Sequence, residues 1–95
     1  MKFMVYTQDK PDSFAIRQAS REAHIEWLYG PSEVTIDIAG PWLDDEGVMR
    51  GSMLVVDAEN KQAVHDWISQ DPYRAAGLTA SVTINGYHWV IGAPA

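Results

Sequence analysis

The chain has 95 residues, 46% of them hydrophobic, with four Trp, four Tyr and no Cys. This much apolar and aromatic surface is untypical of a disordered chain, and the absence of Cys excludes a disulfide scaffold, a thiolate metal site and a Cys nucleophile. Thirteen acidic against seven basic residues give a net charge of -6, which would repel a phosphate backbone, so we predict no nucleic-acid partner.

The length fits a single domain over residues 1–95, because no stretch has the composition of a linker. The opening segment, MKFMVYTQDK, contains too short an apolar run for a signal peptide or a membrane span. We therefore expect one cytoplasmic domain without a membrane partner.

The first third of the chain predicts a strand followed by a helix. Residues 2–7 are rich in β-favouring types and stop at a loop containing Pro, which predicts the first strand. Ser13 to Tyr29 contains neither Pro nor Gly and is followed by Gly30-Pro31, which predicts a helix of about four to five turns. Asp12 or Ser13 would cap this helix.

Two strands separated by a loop are predicted in the middle of the chain. Glu33 to Ala39 alternates, with Val34, Ile36 and Ile38 on one side, and Gly40-Pro41 would end this second strand. Residues 40–51 combine Trp42 with three consecutive acids, which predicts a loop bordering a pocket. Ser52 to Val56 is a compact apolar segment, which predicts a central third strand.

The last third predicts a second helix and a fourth strand. Asp57 would cap the helix, and Asp71-Pro72 would end it. Its apolar stripe would consist of Ala63, Val64, Trp67 and Ile68. Thr79 to Ile84 predicts the fourth strand. Asn85-Gly86 predicts a hairpin turn, after which Tyr87 to Ile91 would return as a fifth strand or cross to a partner subunit.

The order of the predicted elements is βαββαβ, the signature of a ferredoxin-like α+β domain. Both helices would cover one face of the sheet. The other face also carries apolar side chains, because the first and third strands alternate little, and a lone domain would leave that face in water. We therefore predict a homodimer in which two sheets pack face to face as a dimeric α+β barrel, with clefts between sheet and helices.

The first predicted helix carries a basic stripe. With about 100° per residue, the apolar arc that we assign to the sheet consists of Ile16, Ala19, Ala23 and Trp27. Beside it lie Arg17, Arg21 and His24, within about 60° of one another. The stripe is either a solvated face whose Arg stems pack on the margin of the core, or an anion-binding wall with a titratable imidazole.

His24 is the candidate acid/base group, because imidazole takes up and releases protons near neutrality. A carboxylate at hydrogen-bond distance would fix its tautomer and stabilise its protonated form, and Asp71 is the candidate partner. The sequence Asp71-Pro72-Tyr73 also fits a helix N-cap with Pro at the first helical position. Since a carboxylate has two oxygens, the two roles are compatible.

The remaining candidates have weaker patterns. The three isolated His lack paired metal spacing, so we predict no metal and no cofactor; His65 and His88 would be exposed. Ser52 lacks the context of an activated nucleophile, although its hydroxyl could line a pocket. Trp42 and Tyr73 adjoin turns and fit either a cavity wall or the core.

The chain resembles the YciI-like (YCII-related) family. The resemblance rests on Tyr6, Asp9, the helix pattern Arg17, Arg21 and His24, Ala39-Gly40-Pro41, Gly51-Ser52, Trp67, and Asp71-Pro72-Tyr73 with Ala76-Gly77. It implies a ferredoxin-fold dimer with an active-site dyad at His24 and Asp71, near Ser52 and the Pro41 loop. The best-defined activity among relatives is removal of chloride from a chlorinated hydroxyquinol, a lyase-like reaction that fits proton transfer by a His/Asp pair, and its substrate does not carry over to this chain. Where the family has Pro-Phe close to the last strand, this chain has Asn85-Gly86-Tyr87.

Our leading hypothesis is a small-molecule enzyme of the lyase or hydrolase type, in which His24 is general acid or base and Asp71 orients it. Arg17 or Arg21 would attract an anionic or phenolic substrate. Other pocket residues would be Pro41, Trp42, Ser52 and Tyr73. The alternatives are a module that binds a metabolite without converting it, and a dimeric interaction domain that needs no His24.

Overall fold

One antiparallel sheet of four strands forms the framework of the computed structural model, which describes residues 1–94. The strands are β1 (Lys2–Asp9), β2 (Thr35–Leu43), β3 (Met49–Asp57) and β4 (Thr79–Gly86). The helices are α1 (Phe14–Tyr29), α2 (Lys61–Ile68) and the four-residue α3 (Pro72–Ala75). The spatial order β2-β3-β1-β4, with helices after β1 and β3, is that of the ferredoxin-like α+β fold. The predicted fold class is confirmed.

The core lies between one face of the sheet and the helices. Successive strand residues point to opposite faces, so Val5 of β1, Leu54 and Val56 of β3 and other alternate residues reach this helix face and are buried. Each such side chain contributes about 1.5–3 kcal/mol of burial free energy. Trp67 of α2 stacks on Trp27 of α1 with ring centroids 4.6 Å apart, which joins the two helices.

The segment between residues 40 and 51 is not the loop that the sequence predicts. β2 continues through Gly40 and Pro41 to Leu43, and β3 begins at Met49. Pro41 is tolerated because β2 is an edge strand, where a missing N–H donor need not break a ladder. Asp44 closes the tight turn by accepting a hydrogen bond from the backbone N–H of Val48 at 3.0 Å.

A β-bulge in β2 changes which side chains face the helices. The register pairs Ile36 with Val56 and Ile38 with Val55, so one extra residue, Asp37, is inserted. Ile36 therefore lies on the helix face and Ile38 on the opposite face, whereas the sequence predicted both on one side. Every later side chain of β2, including Trp42, is shifted in the same way.

The second helix begins later than predicted, whereas the first begins at one of its two predicted caps. Asn60, not Asp57, caps α2, because its side chain accepts a hydrogen bond from Ala63 N at 2.9 Å. Asp57 ends β3 and pairs with the N-terminal ammonium at 2.8 Å and with Lys2 at 3.2 Å; these cations lower the pKa of its carboxyl. Ser13 occupies the N-cap position of α1 but makes no side-chain capping bond.

The C-terminal segment does not form the predicted fifth strand. Asn85 and Gly86 continue β4 along β1 instead of turning, and residues 87–94 are irregular. Tyr87 N donates to the carbonyl of Lys2 at 2.9 Å, and Trp89 Nε1 donates to Asp37 Oδ2 at 3.3 Å. That this segment crosses to a partner stays a prediction.

The sheet face opposite the helices is apolar in its centre. By register, Met4, Met53, Val55 and Ile38 lie there. Tyr6 also lies on this face, where its ring stacks on the indole of Trp42 with the two ring centroids 5.4 Å apart. Ile38 remains 43% exposed. None of the helices within residues 1–94 is long and apolar enough to span a bilayer.

Gly51 allows the indole of Trp42 to lie across β3. A Cβ added at Gly51 would lie 1.9 Å from the Thr7 carbonyl oxygen and 2.1 Å from Trp42 Nε1. Trp42 Nε1 donates to that same Thr7 oxygen at 2.8 Å. Only glycine leaves room for this contact.

Candidate functional site

Two of the three basic side chains of the α1 stripe are buried. Arg17 is 4% and His24 8% exposed, whereas Arg21 is exposed. The predicted apolar arc is wrong, because Ala19 and Ala23 are exposed. The helix turns its polar stripe inward because acidic residues elsewhere in the chain satisfy the two buried groups.

His24 and Asp71 meet although 47 residues separate them. His24 Nδ1 lies 2.8 Å from Asp71 Oδ1, and both side chains are buried. Asp71 also occupies the N-cap of α3, where the same Oδ1 accepts a hydrogen bond from Tyr73 N at 2.9 Å. One carboxylate oxygen therefore makes both contacts, the one with His24 and the helix cap. Pro72 at the first helical turn and Gly77 with φ 82° after the last fix the ends of α3.

Tyr73 connects the imidazole with the buried guanidinium. Its ring stacks on His24, with centroids 3.9 Å apart and planes 11° from parallel. The guanidinium carbon of Arg17 lies 4.7 Å from the centre of the same ring, within the range of a cation–π interaction. Burial raises the pKa of the Tyr73 phenol, and the positive charge of Arg17 partly opposes this effect.

Arg17 is held by a carboxylate and a hydroxyl. Its Nε and Nη2 bind the two oxygens of Asp9 at 2.7 and 3.0 Å, the bidentate geometry that fits guanidinium to carboxylate. Nη2 also donates to Ser52 Oγ at 3.2 Å. Ser52 N in turn donates to Thr7 Oγ1 at 2.9 Å. The charge of Arg17 is thus neutralised within the protein, so it cannot act as a free cation.

A cleft of about 560 Å³ opens between α1 and the β2 edge of the sheet. Its polar lining contains Arg17, Arg21, His24, Ser52, Asp37 and Tyr73. Its apolar lining includes Ile25, Leu28, Val34, Ile36, Pro41, Met49 and Leu54. Within residues 1–94, Arg21 is the cationic lining residue that has no ion pair. Asp37 is paired with Lys2 at 2.8 Å.

Three polar atoms of the buried lining residues make no hydrogen bond to the described part of the chain: His24 Nε2, Tyr73 Oη and Arg17 Nη1. Within the same residues, every fully buried side-chain nitrogen or oxygen does have a partner. These three atoms are therefore not fully buried, and the residues that carry them line the cleft.

The structure separates Trp42 from the other predicted site residues. The β2 bulge places its indole on the opposite face of the sheet, where it borders a smaller pocket of about 310 Å³ with Lys10, Phe14 and Arg50. Trp42 is therefore not a wall of the cleft that contains His24. The sequence analysis named Asp9 among the residues of the family resemblance but assigned it no role, and the structure pairs it with Arg17.

Comparisons with known proteins agree with this architecture. The family model of the YCII-related domain matches residues 1–87. An uncharacterized protein of Haemophilus influenzae and protein YciI of Escherichia coli O6:H1 are each 32% identical over 94 residues, covering 92% of this chain and 96% of the relative.

Solved structures extend the comparison. The 5-chloro-2-hydroxyhydroquinone dehydrochlorinase TftG from Burkholderia phenoliruptrix AC1100, in complex with 2,5-dihydroxybenzoquinone, is similar with a TM-score of 0.81 and 32% identity, over 93% of this chain and 94% of that one. A NIPSNAP domain protein from Burkholderia xenovorans, with a TM-score of 0.55 at 9% identity over 99% and 98% of the two chains, shares the fold alone.

Proposed function

Because this chain belongs to the YCII-related domain family, we propose that it is a small-molecule enzyme of the lyase type in which His24 transfers a proton and Asp71 orients the imidazole. The observation that carries the proposal is the 2.8 Å contact between His24 Nδ1 and Asp71 Oδ1 at the wall of the cleft. A carboxylate on Nδ1 fixes the tautomer and leaves Nε2 to exchange a proton with a ligand.

The lining favours a small ring compound with a phenolic or anionic oxygen. Apolar side chains such as Leu28 and Leu54 would pack against the ring, and Arg21 at the mouth would attract a negative group. Arg17, neutralised by Asp9, would not add to that attraction. The named substrate of TftG is a chlorinated polyphenol and its bound compound is a hydroxyquinone, which supports this class.

An elimination in this cleft would need a base that accepts the substrate proton and a leaving group that departs with its bonding electrons. His24 Nε2 would take a proton from the substrate, the electron pair left behind would form a new double bond, and the leaving group would depart with its own pair. The Asp71 carboxylate would stabilise the imidazolium that results. His24 would then return the proton to water.

Chloride release from 5-chloro-2-hydroxyhydroquinone tests the proposal. His24→Asn should lower turnover by on the order of 10²–10⁴, because asparagine cannot transfer the proton. His65→Asn is the matched control, since His65 is exposed on α2, and it should retain wild-type turnover. Equal turnover by His24→Asn and wild type would refute the catalytic role of His24. Tight binding of 2,5-dihydroxybenzoquinone without any turnover would favour a non-catalytic binding module.

We also propose that two copies pair through the apolar sheet face. Met4, Tyr6, Met53, Val55 and Ile38 lie on the face that the helices leave open, and a second copy would offer an identical self-complementary patch. Sedimentation should show a dimer at micromolar concentration, and Ile38→Lys should shift it toward monomer. A wild-type monomer under these conditions would contradict the pairing.

A further inference from the structure

Three contacts fix the position of Tyr73 in the wall of the cleft. Its backbone N–H donates to Asp71, its ring stacks on His24, and Arg17 lies against the same ring. The residue is 4% exposed. These contacts restrain the position of the ring, yet none of them uses the hydroxyl. Oη makes no hydrogen bond to residues 1–94, and Tyr73 lines the cleft, so the hydroxyl has hydrogen-bonding capacity to offer a ligand there.

The charges around Tyr73 keep this hydroxyl protonated at neutral pH. Burial raises its pKa, as do the neighbouring carboxylates of Asp71 and Asp9, while Arg17 and Arg21 lower it. The net shift is upward from the ordinary value for a phenol, so Oη carries a proton that it can donate.

We propose that Tyr73 is a third catalytic group, whose phenol donates a hydrogen bond to the substrate oxygen that gains negative charge while His24 removes a proton. The inference rests on the function proposed above. The electron pair left by the departing proton moves first onto that oxygen, where Tyr73 stabilises the anion without losing its own proton. The pair then returns to form the new double bond as the leaving group departs with its own electron pair. Donors placed where charge develops are a large source of rate enhancement.

This arrangement selects a class of substrate. The oxygen bound by Tyr73 must be conjugated with the atom from which His24 takes the proton, because only then does the charge reach it. Hydroxyquinones and polyphenols meet this condition, whereas a saturated alcohol, whose oxygen is not conjugated with the carbon that loses the proton, does not. Arg17 is a positioning residue in this scheme: held by Asp9, its guanidinium lies over the Tyr73 ring and restrains the position of that ring.

Tyr73→Phe is the decisive variant, because it removes only the hydroxyl. The ring can still stack on His24, and the backbone N–H still caps onto Asp71. With 5-chloro-2-hydroxyhydroquinone, kcat should fall by on the order of 100-fold or more, while KM stays within about threefold of the wild-type value. Tyr87→Phe, which alters a phenol outside the cleft, is the control and should match wild type. A kcat of Tyr73→Phe within about threefold of wild type would overturn the proposal.

A binding measurement separates this inference from the proposed function. The acidic hydroxyquinone 2,5-dihydroxybenzoquinone resembles the charged state, so Tyr73→Phe should weaken its binding about tenfold or more, measured by calorimetry. Equal binding by the variant and wild type, or no binding by wild type, overturns the role of Tyr73. If His24→Asn retains turnover while Tyr73→Phe loses it, the proton-transfer function fails and the donor role of Tyr73 stands.

Discussion

Replacement of Asp71 would separate the two contacts of a single oxygen. Oδ1 lies 2.8 Å from His24 Nδ1 and 2.9 Å from Tyr73 N, so Asp71→Ala removes both contacts. Asp71→Ser keeps an oxygen that caps helices well, but its shorter side chain withdraws from His24. The difference between the two variants therefore isolates the cap from the dyad.

The expected magnitudes follow from the burial of these groups. Loss of an N-cap acceptor costs about 1 kcal/mol, and a buried imidazole nitrogen left without its partner costs about 1–3 kcal/mol. Asp71→Ala should therefore lower the free energy of unfolding by about 2–4 kcal/mol, and Asp71→Ser by about 1–3 kcal/mol. In a domain of this length each 1 kcal/mol shifts Tm by about 4–8 °C.

Urea denaturation at pH 7 and one fixed protein concentration measures these values, since pairing of subunits would make stability depend on concentration. In a His24→Ala background the cost of Asp71→Ala should shrink to the cap contribution, because no imidazole remains to lose its partner. Two results would refute the shared-oxygen account: a cost of Asp71→Ala below about 0.5 kcal/mol, or identical costs of the Ala and Ser variants.

Single contacts support three further predictions. Gly51→Ala should cost about 1–3 kcal/mol in urea denaturation, because the new Cβ would lie 1.9 Å from a backbone oxygen; Gly40→Ala, in open space, should cost much less, and equal costs would contradict this. The N-terminal ammonium and Lys2 lower the pKa of Asp57. The contribution of Asp57 to the free energy of unfolding is therefore present above about pH 4 and is lost as pH falls through the lowered pKa. Asp57→Asn should flatten this acidic part of the curve of stability against pH. Burial raises the pKa of Tyr73. The free energy of unfolding should therefore fall as pH rises above about 10, because the phenol ionises first in the unfolded chain. Ultraviolet titration of Tyr73→Phe should lack the highest phenol transition.

The order of elements was accessible from sequence because alternation, helix caps and breakers are local signals. The end of β2 was not, since Gly40-Pro41 normally terminates a strand and only the position of β2 at the sheet edge makes Pro41 acceptable. The bulge at Asp37 leaves no local signal either. It reverses the facing of the rest of the strand, which is why Trp42 was wrongly expected in the cleft.

The inward face of α1 was also beyond local reasoning. Hydrophobicity assigns Ala19 and Ala23 to the interior and Arg17 to its margin, yet the structure buries the charged residue instead. The partner of Arg17 is Asp9, the last residue of β1, and a loop separates it from the start of α1. A buried guanidinium is stable only with such a partner, and pairing between distant residues cannot be deduced from periodicity.

The junction at Asp71 Oδ1 also offers a direct observable of site integrity. A helix of a single turn opens locally at lower free energy than the whole fold, and α3 cannot unwind without releasing the hydrogen bond between Tyr73 N and the carboxylate that contacts His24. Exchange of this one amide proton with deuterated solvent therefore reports how often α3 opens beside the carboxylate that contacts His24. Ligand that occupies the cleft would slow that exchange, which gives occupancy a readout that needs no turnover.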